Sequence, residues 1–270
     1  MTPHRADVCL HHVEHVMGMA VSFDIRQPAP ISGTLTEVLR WLHHVDATFS
    51  TYLDDSEITR FGRGEIAIDD LTAEVQDVLL QCIELTDLTG GAFDVFAVPA
   101  PNGTQLDPSG FVKGWSIERA AAMLEDGGAI NFCINAGGDI AVRGEPAPGD
   151  AWQIGIRHPD HVDQLALVLE VRGTMAIATS ATYERGAHIM DPRVGSPTTE
   201  LASATVVGRD LGIADAYATA AFVLGLDAIE WIDPQPGYDA YLITHDGETC
   251  WSTDFPHPSQ RVAAAASARR

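Results

Sequence analysis

From Tyr183 to Thr219 the chain reads YERGAHIMDPRVGSPTTELASATVVGRDLGIADAYAT, and this run concentrates residue types that do chemistry. His188 stands three residues ahead of Asp191-Pro192, a Gly-Ser-Pro turn follows, and the run ends in a helix-like stretch carrying Asp215 and Thr219. Asp215 and Thr219 are four apart, so a helix presents both oxygens on one face. A carboxylate beside a hydroxyl is a hard oxygen pair of the kind magnesium takes. The spacing predicts a metal held over a phosphate, with His188 close to the reacting atom. Asp215 alone has a plainer reading, in which it answers the helix dipole from the first turn.

The elements around this run must supply the pocket. Val13 to Ile25 reads as a strand interrupted at Met17-Gly18, where a glycine marks a bulge or a close approach. A helix over 32–48 carries Leu35, Val38, Leu39, Leu42 and Val45 as its apolar stripe. Tyr52 follows as either a core residue or a lid on a planar ligand. Asp54-Asp55-Ser56-Glu57 then forms a turn and a new helix cap. A second long helix over 71–89 ends at Gly90-Gly91, and the tight bend Gly91-Ala92-Phe93 delivers Asp94. Asp94 is a turn cap or a polar hook for a ligand.

Asp107-Pro108-Ser109-Gly110 opens a third helix near Lys113. Free N–H groups at a helix start, small residues and a cation together suit a phosphate. The sequence is not a Walker loop. Asn135-Ala136-Gly137-Gly138-Asp139 reads as a sharp turn between short strands, and a hairpin explains its glycines as well as a ligand does. Strands over 152–157, 165–171, 175–180 and 204–207, an Ala-rich helix over 211–224 and a hairpin across Asp246-Gly247 complete the chain. Helices and hairpins mix without a βαβ rhythm, which predicts an α+β fold with a largely antiparallel sheet. One domain over 13–255 is expected, with tails at 1–12 and 256–270.

The bulk properties exclude several classes. There are 16 basic against 38 acidic residues, a net charge of −22, so a nucleic-acid or anionic-membrane binder is not expected. With 46% hydrophobic residues a packed core is ample. No run of apolar residues reaches the length of a membrane span. The N-terminal stretch lacks a secretory signature, so the expected location is the cytoplasm. Cys9, Cys82, Cys133 and Cys250 are widely spaced and read as buried reduced thiols. His11, His12 and His15 read as surface or edge positions of a strand.

Seven segments in this order resemble the ApbE family of flavin transferases: FSTYLDDSEITRF (49–61), GGAFDV (90–95), LDPSGFVKGWSIERA (106–120), NAGGDIAVRG (135–144), WQIGIRHP (152–159), ATSATYERGAHIMDPRVGSP (178–197) and VVGRDLGIADAYATAAFVLG (206–225). The resemblance implies a T-fold-like α+β architecture with FAD in a cleft. It implies a Mg2+-dependent enzyme that moves FMN from FAD onto a Thr or Ser hydroxyl of an acceptor flavoprotein and releases AMP. It also implies roles for single residues. Asp215 and Thr219 become metal ligands, with main-chain oxygens of Gly110 and Ala218. Met17, Tyr52, Ala92, Phe93, Asp94, Asp107, Lys113 and Ile189 line the FAD site, and His188 is nearest the transfer. Two alternatives are an FAD pyrophosphatase giving FMN and AMP, and a non-catalytic flavin-binding module. The chain departs from the family pattern at Gly62, where members often carry Asn, and at Ala181, where Gly is usual.

Overall fold

The computed structural model describes residues 8–27, 31–97, 99–161, 163–181 and 190–256. Tyr183, His188, Ile189 and the expected tail from residue 257 onward lie outside the described residues.

Strands β1 (Val8–Val16) and β2 (Met19–Gln27) come first. Helices α1 (Ser32–Phe49), α2 (Glu57–Gly62), α3 (Ala73–Leu88) and α4 (Ser109–Asp126) follow. Next come β3 (Phe132–Ala136), β4 (Asp139–Arg143), β5 (Trp152–Arg157), β6 (Leu165–Val171) and β7 (Met175–Ala181). Two short strands, β8 (Met190–Asp191) and β9 (Ser196–Pro197), lead into β10 (Leu201–Gly208). Helices α5 (Leu211–Leu224) and α6 (Ala228–Ile232) and strands β11 (Asp239–Thr244) and β12 (Thr249–Trp251) end the fold.

Eight strands form one sheet in the order β1-β2-β3-β4-β7-β10-β11-β12. Every neighbouring pair in it is antiparallel. Strand alternation divides its side chains between two cores. Ala141, Ala176, Ala178, Ala204 and Val206 face the helices. Ile140, Val142, Ile177, Val207 and Tyr241 face the other way, under the β5–β6 hairpin with its Trp152, Ile154 and Leu169. The small residues on the helix side let α5 lie close on the strands. Helix α1 buries Leu35, Val38, Leu42 and Val45, as its stripe predicts, and Phe49 beyond it, while Leu39 of the expected stripe is only half-buried. At about 1.5–3 kcal/mol for each large side chain removed from water, this face and not intrinsic propensity holds the helix.

Two sequence expectations need correction. Residues 8–12, expected in a tail, belong to β1. Val13 to Ile25 is not one bulged strand but a hairpin, because Met17 and Gly18 both have positive φ (54° and 71°) and close a two-residue turn. Leu211–Ile232 is also long and apolar enough to span a membrane by composition, although 67% of it is buried inside the fold. It is packed between α4 and the sheet, where core burial explains its hydropathy.

Candidate active site

A cleft of about 650 Å³ opens between the β1–β2 turn, the start of α4, the end of β7 and one face of α5. Pockets of about 300–1,000 Å³ are the usual size for small-molecule and cofactor sites. Of the residues expected at the FAD site, Met17, Tyr52, Ala92, Phe93, Asp94, Asp107 and Lys113 all line it, together with Gly110, Asp215 and Thr219 from the expected metal set. Ala218 is fully buried and does not line the cleft. His188 and Ile189 lie outside the described residues, while Met190, which follows them, lines the cleft.

Local chemistry explains how these residues are presented. Tyr52 is 68% exposed at the rim, which excludes the core reading. Gly90 and Gly91 close α3 with φ of 59° and 80°, and the Gly91 N–H donates to Thr86 O at 2.9 Å. Beyond that bend the Thr89 hydroxyl accepts the Phe93 N–H at 3.1 Å, and Asp94 Oδ1 accepts the Phe96 N–H at 2.8 Å. Asp107 Oδ1 accepts the Ser109 N–H at 3.0 Å, so this carboxylate fixes the first turn of α4 as well as facing the cleft. The helix begins at Ser109, earlier than Lys113, and its first turn lies on the cleft wall.

Helices α4 and α5 cross at unusually short range. A Cβ on Gly114 would stand 2.3 Å from Leu211 O and 2.8 Å from Asp215 Cβ. One on Gly110 would stand 3.3 Å from Thr219 Oγ1. Gly110 and Gly114 are one helical turn apart, so they face the Asp215–Thr219 stripe as a pair. Asp215 is 4% exposed. Its Oδ2 accepts the Gly114 N–H at 3.1 Å, which turns this carboxylate toward α4. The capping of α5 falls instead to Asp210, whose side chain accepts the Ile213 N–H at 2.9 Å. In a regular helix the Gly114 amide serves the Gly110 carbonyl.

The charges converge on one lysine. Lys113 Nζ lies 2.8 Å from Asp139 Oδ2 and 3.9 Å from Asp215 Oδ1. Asp139, the first residue of β4, is completely buried, and its Oδ1 accepts the Thr179 N–H at 3.1 Å. In the sequence Asp139 falls in a turn, and nothing local assigns it a role. Its partner is 26 residues away on another element, and only the sheet and α4 bring them together. The Thr219 hydroxyl is 3.3 Å from that of Ser180 on β7, another cleft residue without an assigned role at sequence level. Among the described lining residues Lys113 is the only cation, against Asp46, Asp94, Asp107 and Asp215. A further cation would offset this negative charge for an anionic ligand entering the cleft. Asp215, Thr219 and the Gly110 carbonyl are hard oxygen donors on one wall, and that donor set fits a magnesium-type ion. Gly62 does not line the cleft; a Cβ there would meet Thr104 Oγ1 at 3.0 Å.

An antiparallel α+β sheet carrying a helix-walled, oxygen-rich cleft defines the class of protein. The ApbE family model matches residues 17–102 and 97–242, and the chain belongs to the ApbE family. The FAD:protein FMN transferase of Haemophilus influenzae is 28% identical over 269 residues, covering 78% of this chain and 78% of that protein. The Vibrio cholerae protein of the same name is 29% identical over 245 residues, covering 70% of this chain and 73% of its own length. The solved flavin transferase ApbE from Vibrio cholerae superposes with a TM-score of 0.81 at 24% identity, over 93% of this chain and 99% of that one. The apo Pseudomonas stutzeri flavinyl transferase ApbE gives 0.77 at 20% identity, over 92% and 96%.

Proposed function

We propose that this chain is a FAD:protein FMN transferase that moves the FMN half of FAD onto a Thr or Ser hydroxyl of an acceptor protein, releases AMP and requires Mg2+. The observation that carries the reading is the meeting, in one cleft, of the α4 N-terminus, Lys113 and the oxygen wall of Gly110, Asp215 and Thr219. Family membership and the names of the curated relatives support the flavin chemistry.

Each residue has a physical task. Tyr52 offers an aromatic face at the rim for a flat ring. Ser109, Gly110 and Lys113 present first-turn amides and an ammonium to the diphosphate. Asp215, Thr219 and the Gly110 carbonyl would hold Mg2+, with the main-chain oxygen of Ala218 as the remaining candidate. When bound, the ion neutralises phosphate oxygens and draws electrons from phosphorus. His188 is assigned as the base from its sequence position, two residues before the cleft residue Met190. It takes the proton of the acceptor hydroxyl, whose oxygen bonds to the FMN phosphorus as the bond to the AMP oxygen breaks. Ile189, its neighbour, is proposed to contact FAD. The proposed site of action is the cytoplasm.

The test is to incubate the protein with FAD and Mg2+, with and without a candidate acceptor. Covalent flavin on the acceptor with matching AMP supports transfer. Free FMN and AMP without acceptor would replace it with FAD hydrolysis, and tight FAD binding with neither product would leave a binding module. Asp215→Ala is expected to abolish transfer in folded protein, and His188→Ala to weaken it with FAD binding kept.

A further inference from the structure

The face of the β1–β2 hairpin turned away from the helices carries chemistry that the cleft does not use. Cys9 and His11 are two apart on β1, so they stand on the same face of the strand. His11 is paired with Asp24 across the antiparallel register. Strand pairing thus delivers a thiol, an imidazole and a carboxylate to one spot, on the outer face of an edge strand. Cys9, expected to be a buried thiol, is exposed here.

Cys9 Sγ lies 2.9 Å from His11 Nε2 and 3.6 Å from Asp24 Oδ1, and His11 Nδ1 lies 3.6 Å from the same oxygen. One donor atom from each residue lies within 4.8 Å of the other two. With bonds of about 2.0–2.3 Å, ligands around a tetrahedral zinc stand about 3.3–3.8 Å from one another. A single ion takes one of the two imidazole nitrogens, and with the three donor atoms within 4.8 Å of one another the side chains close on it by rotating. Arg26 donates to both oxygens of Asp24, each at 2.6 Å, and its guanidinium lies 5.9 Å from the centre of the Trp152 ring. It fixes the carboxylate as outer-shell partners fix metal-bound carboxylates. A thiolate and a carboxylate together carry two negative charges against the ion's two positive ones, and the guanidinium of Arg26 leaves the cluster with one positive charge over. His11 and Asp24 also border a groove of about 420 Å³ between the hairpin and β5, which gives solvent a route to the spot.

We infer that Cys9, His11 and Asp24 form a second metal site, selective for a borderline-soft divalent cation of the zinc class and separate from the hard-oxygen wall of the cleft. Thiolate and imidazole donors select zinc-like ions, whereas magnesium keeps to oxygen. Binding exchanges the Cys9 thiol proton for the metal and releases it to solvent. Three protein ligands leave the fourth position to water. The ion staples β1, an edge strand, to β2.

Cobalt(II) reports this site directly, because thiolate ligation gives a charge-transfer absorption that oxygen ligation does not. The protein, held in excess Mg2+ to occupy oxygen sites, is titrated with Co2+. One equivalent is expected to develop the thiolate band, and one equivalent of Zn2+ to remove it. Cys9→Ser is expected to abolish the band. His11→Gln, at an exposed position, is expected to weaken binding beyond the about 10–100-fold typical of outer-shell changes. Cys133→Ser, opposite Asp24 on the next strand, should leave the band intact. No band in the wild-type protein, or a band that survives in Cys9→Ser with unchanged circular dichroism, overturns the site. Flavin transfer is not read, so the result is independent of the proposed activity.

Discussion

The ammonium of Lys113 stands 2.8 Å from Oδ2 of Asp139, a carboxylate with no exposed surface. The same nitrogen is 3.9 Å from Asp215. Asp139 therefore holds the lysine back from the carboxylate assigned to the metal. Asp139→Asn keeps the acceptor for the Thr179 amide and removes only the charge. Lys113 then shifts to Asp215 and competes with a divalent ion. The expected outcome is a Mg2+ requirement raised on the order of tenfold, a change of about 1.4 kcal/mol. A stability loss of about 2–3 kcal/mol is expected too, below the about 3–5 for fully buried pairs, because Lys113 is partly exposed. Mg2+ titration of activity and urea unfolding check both, and an unchanged Mg2+ dependence contradicts the holding role.

Gly114 marks the closest approach of α4 to α5. Inside a helix, Gly→Ala ordinarily stabilises by about 1 kcal/mol. At Gly114 the new methyl would lie 2.3 Å from the main-chain oxygen of Leu211, which cannot rotate away. The helices must part, at about 1–3 kcal/mol, as for other overpacked cores. Gly114→Ala is expected to destabilise and to reduce activity, since the displaced helix carries Asp215 and Thr219. Gly33→Ala on α1, with open space around it, is the control and is expected to be neutral or stabilising. Urea unfolding of the two variants gives the signs.

The legible parts of this molecule were those set by local periodicity. The stripe of α1, the Ser56 cap of α2, whose hydroxyl accepts the Thr59 N–H at 3.1 Å, and the Asp215–Thr219 face all follow from spacing within one element. What sequence missed depends on register between elements. Asp139 gains its role only when β4 is laid in the sheet and α4 brings Lys113 over it. The Met17-Gly18 turn was hidden because Met is not a residue that announces positive φ. The exposure of Cys9 follows from the sheet's edge position, which no local pattern encodes. The long apolar run over 211–232 reads alike for a buried core helix and for a span, and its packing decides between them.

Met17 is the only non-glycine residue with positive φ among the described residues, and it lines the cleft. The left-handed conformation costs an ordinary side chain about 1–2 kcal/mol. Such strain gathers at functional sites. Met17→Asn supplies the Asn-Gly pair that this turn type prefers. Its expected stability is no lower than wild type, the relieved strain offsetting the lost apolar contact. Its FAD affinity is expected to fall about tenfold, one modest contact's worth. Thermal unfolding and flavin fluorescence titration measure the two separately. Lower stability with unchanged affinity would mean that Met17 serves the fold and not the ligand.

Glu118 ties the cleft helices to the sheet. Its carboxylate accepts the Leu211 N–H, at 3.1 Å, where α5 begins, and pairs with the buried Arg143 of β4. Burial, the largest influence, raises its pKa above the ordinary 4.5, with the Arg143 charge and the Leu211 amide opposing. A carboxyl with a raised folded pKa binds more protons folded than unfolded. The stability it contributes is therefore full below 4.5 and is lost as pH climbs through the raised value. Glu118→Gln removes this titration while keeping an acceptor for Leu211. The difference in unfolding free energy, wild type minus variant, is expected to decline from pH 4.5 upward and then level off. Urea unfolding at closely spaced pH values, from about 4 to about 8, tests this. A difference that grows with pH would mean that attraction to Arg143 outweighs burial, and that the ion pair itself anchors the start of α5.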